Sequence, residues 1–172
     1  MRALVHAGVD VNARFVGPHE ETPLHWAAST DDVAVIDTLI ELGADLEAAG
    51  SVIDGTTPLA DAVAFGQWQA ARRLLEHGAR TNLWQAVALG LTHRVQQLLE
   101  VGYSTEDLTN APRCACHGGQ RATAEILLEQ GADRDWIGHD GLTPLDAAER
   151  SEATALAAWL RASGAASARR KS

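Results

Sequence analysis

The chain has 172 residues, of which 46% are hydrophobic and 22% charged, a composition that favours a folded globular protein over a disordered one. Its 14 basic residues against 23 acidic ones give a net charge of −9, so we expect no nucleic-acid partner, because affinity for phosphate backbones depends on cations. No apolar run reaches the roughly 20 residues that span a bilayer, and the first residues lack a signal-peptide pattern, which predicts a cytoplasmic protein with no membrane partner.

Glycines mark the ends of predicted helices along the chain. Five helical apolar runs each end in a glycine, and these residues are Gly8, Gly43, Gly78, Gly102 and Gly131. Glycine suits the position just past a helix end, because a left-handed residue there satisfies the last carbonyl groups. The steps between these glycines are 35, 35, 24 and 29 residues. The pattern therefore predicts repeats of unequal length.

A second signal marks the starts of predicted helices. Threonine–proline pairs stand at Thr22-Pro23, Thr57-Pro58 and Thr143-Pro144, and leucine and small alanines follow each pair. Threonine caps free backbone amides, and proline fits the first helical position, where no N–H is needed. Each repeat is thus predicted to contain a helix, a short turn, a second helix and a glycine stop.

These motifs resemble the ankyrin repeat, whose pattern is Thr-Pro-Leu-His-x-Ala followed by Leu-Leu-x-x-Gly-Ala-Asp. The endings Gly43-Ala44-Asp45 and Gly131-Ala132-Asp133 match it, and the resemblance covers roughly residues 1–163. It implies an all-α solenoid of helix-turn-helix units with short β-hairpin loops. We expect one domain over residues 1–164, made of a partial N-terminal cap and about five repeats, and a disordered tail over residues 165–172.

The middle repeats are too short for full hairpin loops. Asp54-Gly55 and Asp140-Gly141 have the chemistry of loop tips, whereas residues 78–82 lead straight into Leu83. Residues 104–110 leave room only for a reduced connection. We therefore expect the hairpins to be missing or reduced in the middle repeats, with the flanking hairpins forming the walls of a notch.

Aligning the helix starts identifies candidate binding residues. In members of the family, positions on the first helix of each repeat and the loop tips usually make the recognition surface. The candidates for binding a partner or ligand are Trp26, Ser29, Asp61, Trp84, Arg113, His117, Trp136, His139 and Asp140. Among them, Asp61 is a carboxylate at a normally apolar position. It either caps a neighbouring helix or pairs with Arg113, or it contacts a ligand and does acid/base work.

Cys114, Cys116 and His117 resemble a metal-binding motif only in their spacing. Cys114 and His117 lie one helical turn apart, but Cys116 points elsewhere, and no second cluster supplies further ligands. We therefore expect no metal and no cofactor. Asp61, His117 and Cys114 are the candidates for catalysis, although a nucleophilic cysteine would also need a third group and an oxyanion site.

Two functions follow from these residues. The resemblance implies a protein–protein interaction module that binds its partner in a concave groove. The alternative is a small-molecule-binding protein or an unusual enzyme for hydrolysis or proton transfer, in which Trp26, Trp84 and Trp136 line the notch with Asp61 and His117. The three rings are equally consistent with separate packing. A thin leading cap also predicts either a monomer or weak self-association through the N-terminal end.

Overall fold

The computed structural model describes residues 8–16, 20–50, 56–103, 105–138 and 140–168. Within these ranges the chain forms ten helices and no strands, as the sequence predicted for an all-α repeat fold. In chain order the helices are α1 (Pro23–Ser29), α2 (Val33–Glu41), α3 (Pro58–Ala64), α4 (Trp68–Glu76), α5 (Leu83–Ala88), α6 (Thr92–Val101), α7 (Thr105–His117), α8 (Arg121–Glu129), α9 (Pro144–Arg150) and α10 (Thr154–Ala162).

The helix starts confirm the threonine–proline signal. Pro23, Pro58 and Pro144 are the first residues of α1, α3 and α9. At α9, the Thr143 hydroxyl accepts a hydrogen bond from the Asp146 amide at 3.3 Å, and the Asp146 carboxylate accepts from the Thr143 amide at 3.0 Å. These reciprocal bonds satisfy two amides that the start of a helix leaves without intrahelical partners.

The chain divides into two compact units, Met1–Arg80 and Thr81–Ser172, which we call the N-terminal and C-terminal units. In the N-terminal unit α1 packs on α3, and α2 packs on α4. In the C-terminal unit α7 lies between α5 and α9, while α8 packs on α6 and α7. Both cores combine leucines and valines with many alanines, and the short alanine side chains allow the helices to approach closely. The single domain expected over residues 1–164 stays a prediction.

Each helical pair contains a second left-handed residue that the sequence did not reveal. The expected glycine stops have φ near 90°, and Gly164 adds another stop after α10. A further left-handed residue lies in the turn between the two helices of each pair, and these residues are Asp31, Gly66, Gly90, Gly119 and Glu152. Only glycine adopts this conformation without strain, so Asp31 and Glu152 hold a backbone that ordinary side chains disfavour.

The loops over the middle repeats are short, as expected. Residues 77–82 connect α4 directly to α5, and residues 102–104 separate α6 from α7. The expected connection over residues 104–110 is wrong in one respect, because α7 already begins at Thr105. Asp107 lies in its first turn, where negative charge complements the helix dipole.

Two hairpin-like loops are described, one before α1 and one before α9. In the first, the Phe15 amide donates to the Glu21 carbonyl at 2.8 Å. In the second, the Gly138 amide donates to the Leu142 carbonyl at 3.0 Å. The loop tip predicted at Asp54-Gly55 lies outside the described residues.

Side chains in the N-terminal unit bond to the backbone of the following repeat. The Asn12 amide group donates to the Gly43 carbonyl at 3.2 Å, and its oxygen accepts from the Asp45 amide at 2.8 Å. The Glu47 carboxylate accepts from the Arg80 amide at 2.8 Å. Consecutive repeats are therefore joined by polar contacts as well as by their apolar cores.

Carboxylates of the last repeat contact residues 166 and 168, which belong to the segment that was expected to be disordered. The Ala166 amide donates to the Asp135 carboxylate at 2.8 Å, and the Ala168 amide donates to the Asp146 carboxylate at 2.9 Å. Two carboxylates thus accept hydrogen bonds from this segment, and the disorder expected over residues 165–172 stays a prediction. The remaining tail, residues 169–172, lies outside the described residues.

Candidate functional site

Trp26 forms an exposed aromatic pair with Phe15. Trp26 lies one turn into α1 and is 52% exposed, while Phe15, before the first hairpin-like loop, is 59% exposed. Their ring centroids are 6.0 Å apart with an interplanar angle of 68°, an edge-to-face arrangement. Exposed aromatic rings of this kind are common energetic centres of protein interfaces. We call these two residues the aromatic pair.

The base of the first loop is fixed by local contacts. The Arg14 guanidinium lies 3.3 Å from the Glu20 carboxylate, directly beside the Phe15–Glu21 backbone bond. A Cβ added at Gly50 would lie 2.5 Å from the Glu20 carbonyl oxygen, so the loop packs closely on this glycine. Local contacts therefore fix the backbone segment that carries Phe15.

His25 connects the same helix start to the next loop. The Thr22 amide donates to Nδ1 of His25 at 3.1 Å, and Nε2 of His25 lies 3.2 Å from the Thr56 carbonyl oxygen. An accepting Nδ1 leaves the proton on Nε2, which donates to Thr56. Burial lowers the pKa of His25, although the bond to Thr56 opposes this shift. His25 thus connects the start of α1 to Thr56, just before α3.

Ser29 and Asp61 lie in the N-terminal unit with different surroundings. The Ser29 hydroxyl donates to the Trp26 carbonyl at 3.1 Å, and the Ser29 carbonyl accepts from the Gln67 side chain at 3.1 Å. Asp61 lies in the first turn of α3 and has no exposed surface. A partner docked on the outside of this unit would not touch Asp61. Its role in ligand binding or in acid/base chemistry stays a prediction.

Trp84 lines a cavity in the C-terminal unit. The cavity has a volume of about 380 Å³ and lies between the start of α5 and the first half of α7. Its lining residues are Asn82, Leu83, Trp84, Tyr103, Asp107, Asn110, Ala111 and Cys114. Two aromatic rings beside amide and carboxylate groups resemble the mixed lining of small-molecule sites, and the volume falls in their usual range.

Arg113 and Asp140, two of the predicted site residues, form an ion pair. The Arg113 guanidinium donates to the Asp140 carboxylate at 2.7 Å, and Arg150 lies 3.4 Å from the same carboxylate. A Cβ added at Gly138 would lie 2.4 Å from a guanidinium nitrogen of Arg113, so a larger residue there would displace the end of this side chain. The pair holds the second hairpin-like loop against α7.

His117 and Trp136 do not line the cavity beside Trp84. The His117 Nδ1 atom and the Ser151 hydroxyl are 3.5 Å apart, and Trp136 is half-buried, with its backbone amide donating to the Asp133 carbonyl at 3.4 Å. The predicted site residue His139 lies outside the described residues. Within the C-terminal unit, the described site residues thus fall into separate small groups.

Cys116 is buried and Cys114 is partly buried. Burial raises the pKa of Cys114 to about 11 and that of Cys116 to about 12. Near neutral pH both thiols therefore stay protonated, which counts against Cys114 as a nucleophile because the thiolate is the reactive form. Within the described ranges, no cluster of three or more His, Cys, Asp and Glu side chains is suited to holding a metal.

Phe15 and Tyr103 were not among the predicted site residues. Phe15 follows Gly8 at the same interval at which Gly50 and Gly138 follow Gly43 and Gly131. Aligning the repeats at this position would have shown a phenylalanine where other repeats have glycine. Tyr103 directly follows a glycine stop, and no sequence signal connects it with Trp84.

Comparisons with known proteins identify the repeats. Residues 1–85 match the family model of ankyrin repeats, described as three copies. The human ankyrin repeat and SOCS box protein 16 is 31% identical over 166 residues, which cover 84% of this chain and 36% of that protein. The Caenorhabditis elegans ankyrin repeat and KH domain-containing protein mask-1 is 29% identical over 147 residues, covering 77% of this chain and 6% of that protein. This chain therefore spans only a minor part of either relative.

The chain is also similar to a solved ankyrin-repeat structure. The crystal structure of the human ASB11 ankyrin repeat domain is 28% identical, covers 85% of this chain and 71% of its own, and has a TM-score of 0.48. Across the described residues, every helix is too short or too polar to cross a bilayer.

Proposed function

The chain belongs to the ankyrin-repeat family, and from this premise we propose that it is a protein–protein interaction module whose partner lies in the concave groove, against the first helix of the N-terminal unit. Ankyrin repeats are general protein-binding modules. The family supplies the class of function, whereas the location of the binding surface rests on the side chains of this chain.

The observation that carries the proposal is the exposure of the aromatic pair. Trp26 is 52% exposed and Phe15 is 59% exposed, and the contact of these apolar rings with water costs free energy. The two rings lie edge to face beside the loop that contains the Arg14–Glu20 ion pair. Burying large aromatic rings at a partner interface recovers that free energy, and rings held in place lose little entropy on binding. Trp26 was predicted as a partner-binding residue, and Phe15 extends the surface.

Affinity capture with matched variants tests this proposal. The protein is immobilised as wild type, as the double variant Phe15→Ala/Trp26→Ala, and as Phe65→Ala, which truncates an aromatic ring that is 48% exposed outside the pair. We expect a set of proteins retained by wild type and by Phe65→Ala but lost from the double variant. Circular dichroism of the double variant checks that it is folded. Retention of the same proteins by a folded double variant would contradict the proposal.

A second candidate function is small-molecule binding, and the cavity beside Trp84 favours it. A thermal-shift screen against a metabolite panel tests it, with wild type compared with Trp84→Ala and with Trp26→Ala as the control. A ligand at about 100 times its Kd stabilises a protein by about 2.7 kcal/mol. A shift that Trp84→Ala alone abolishes would place the ligand in this cavity, whereas equal shifts in both variants would exclude it. Catalysis by Asp61 and His117 stays a prediction.

A further inference from the structure

The negative charge of the chain is concentrated in the N-terminal unit. Residues 1–80 contain twelve acidic and five basic residues, so this unit carries −7 of the net charge of −9. The C-terminal unit, with eleven acidic and nine basic residues, carries only −2. The exposed aromatic pair therefore lies in the unit with the strong negative potential.

Internal contacts leave this charge in place. Several carboxylates of the unit accept hydrogen bonds from backbone amides, as Asp31 does from Ala70 at 2.6 Å and Glu47 does from Arg80 at 2.8 Å. An amide carries no formal charge, so these bonds satisfy the carboxylates without neutralising them. The cation beside the aromatic pair, Arg14, already lies 3.3 Å from Glu20, whose side chain is 70% exposed.

The combination of exposed aromatic rings and negative charge selects for cations. A guanidinium stacks on the face of tryptophan better than on other rings, and it is more weakly hydrated than an ammonium. Negative potential over the surrounding surface speeds the encounter with a positively charged partner and repels an acidic one. The same repulsion disfavours a second copy of this chain on the face, because two units of −7 would meet.

We infer that the face formed by Phe15 and Trp26 binds a basic segment of the partner protein, with an arginine guanidinium against the Trp26 ring. The inference rests on the proposed function, since it names the kind of partner for the same surface. It adds that positive charge, and arginine above lysine, decides which segment is bound.

Labelled peptides test the inference by fluorescence anisotropy. The peptides share their apolar residues and carry arginine, lysine, glutamine or glutamate at the remaining positions. Binding is measured to wild type, to Phe15→Ala/Trp26→Ala and to the control Phe65→Ala, in about 0.05 M and about 0.5 M NaCl, where screening lengths differ about threefold. The variant Glu20→Gln keeps both aromatic rings, and it removes one exposed charge together with its ion pair to Arg14.

We expect the arginine peptide to bind wild type and Phe65→Ala at least about tenfold more tightly than the glutamate peptide. Its affinity should fall at least about tenfold in the double variant, the loss usual for an interface centre, and should fall in high salt and in Glu20→Gln. The lysine peptide should bind more weakly than the arginine peptide.

Three results would overturn the inference. The first is equal binding of the arginine and glutamate peptides, and the second is arginine-peptide binding that the double variant retains. The third is the absence of arginine-peptide binding up to about 1 mM, the weak end of specific association. If partner capture still depends on the aromatic pair, the proposed function survives any of these results. If capture does not depend on the pair, the proposed function itself fails.

Discussion

The Asp31 carboxylate accepts a hydrogen bond from the Ala70 amide at 2.6 Å, and in this way it caps α4, a helix of the following repeat. The residue before α4, Gln67, makes no side-chain cap of its own. Asp31 also has a left-handed backbone, with φ of 58°. A single aspartate thus forms the turn of one repeat and caps a helix in the next.

Replacing Asp31 affects the helix cap and the left-handed turn together. Asp31→Ala removes the cap and places alanine in a left-handed backbone, and each effect costs about 1 kcal/mol, so we expect a loss of about 2 kcal/mol of unfolding free energy. Asp31→Asn keeps an oxygen acceptor and tolerates the left-handed backbone, so it should lose less than half as much. Urea denaturation measures both losses. Equal losses would show that the carboxylate charge, rather than the cap geometry, stabilises the turn.

A glycine at position 152 should stabilise the protein. Glu152 has a φ of 56° and an exposed side chain, in the turn where Gly66, Gly90 and Gly119 serve the other repeats. Glu152→Gly removes the left-handed strain but increases the entropy of the unfolded chain, with an expected net gain of about 0.5–1 kcal/mol. Glu152→Ala retains the strain and serves as the control. A gain in the alanine variant equal to that in the glycine variant would contradict a backbone origin.

Gly118 is required for packing rather than for its backbone angle. A Cβ added there would lie 1.8 Å from the Ala88 carbonyl oxygen, and only backbone movement would relieve the clash. We expect Gly118→Ala to cost about 3 kcal/mol of unfolding free energy, measured by denaturation. The neighbouring variant Gly119→Ala meets only an ordinary contact at 3.7 Å but acquires left-handed strain, so it should cost about 1 kcal/mol. A smaller loss for position 118 than for 119 would refute the steric argument.

The contacts of Asp146 predict a dependence of stability on acid pH. Burial acts to raise the pKa of Asp146, but hydrogen bonds from Ser167, the Ala168 amide and Thr143 outweigh it and lower the pKa to about 2. A carboxyl group with a lowered pKa stabilises the folded state fully above its unfolded pKa of about 3.9 and loses this effect as the pH falls towards the folded value. The stability of wild type should therefore drop between about pH 4 and pH 2.

Asp146→Asn provides the comparison for that pH dependence. The variant should be less stable than wild type near neutral pH, and the difference should shrink as the pH approaches about 2. Hydrogen exchange at the Ala168 amide reports on the same contact, because this amide donates to Asp146 at 2.9 Å. Unchanged exchange in the variant would show that the segment after α10 is held by other contacts.

The ends of the helices were predictable because each depends on one residue type with a local reason. Pro23, Pro58 and Pro144 begin helices because the first helical residue needs no N–H, and Gly43 ends one because it adopts a left-handed backbone. The short middle connections followed from counting residues between such signals. The left-handed turns at Asp31 and Glu152 were missed, because residue type alone does not mark them.

The candidate site was predictable only in part, because it depends on contacts between distant residues. Trp26 was singled out by its position on a helix start, and it is half-exposed in the structure. Its neighbour Phe15 lies across a loop, and Arg113 meets Asp140 only because the second loop folds onto α7. Asp61 was selected by aligning the repeats. Such an alignment predicts which face of a helix a residue occupies, but it does not predict how deeply the residue is buried.

The bonds from Asn12 to residues 43 and 45, and from Glu47 to Arg80, bear on exchanging repeats between proteins. A cassette cut at the glycine stops would separate Asn12 from the Asp45 amide, and Glu47 from the Arg80 amide. A transplanted repeat would keep such a bond only if the repeat before it offered a hydrogen-bond acceptor at the position of Asn12 or Glu47. Recombination libraries built from this chain should therefore move repeats in adjacent pairs, because any crossover between residues 12 and 45, or between residues 47 and 80, separates one of these bonds.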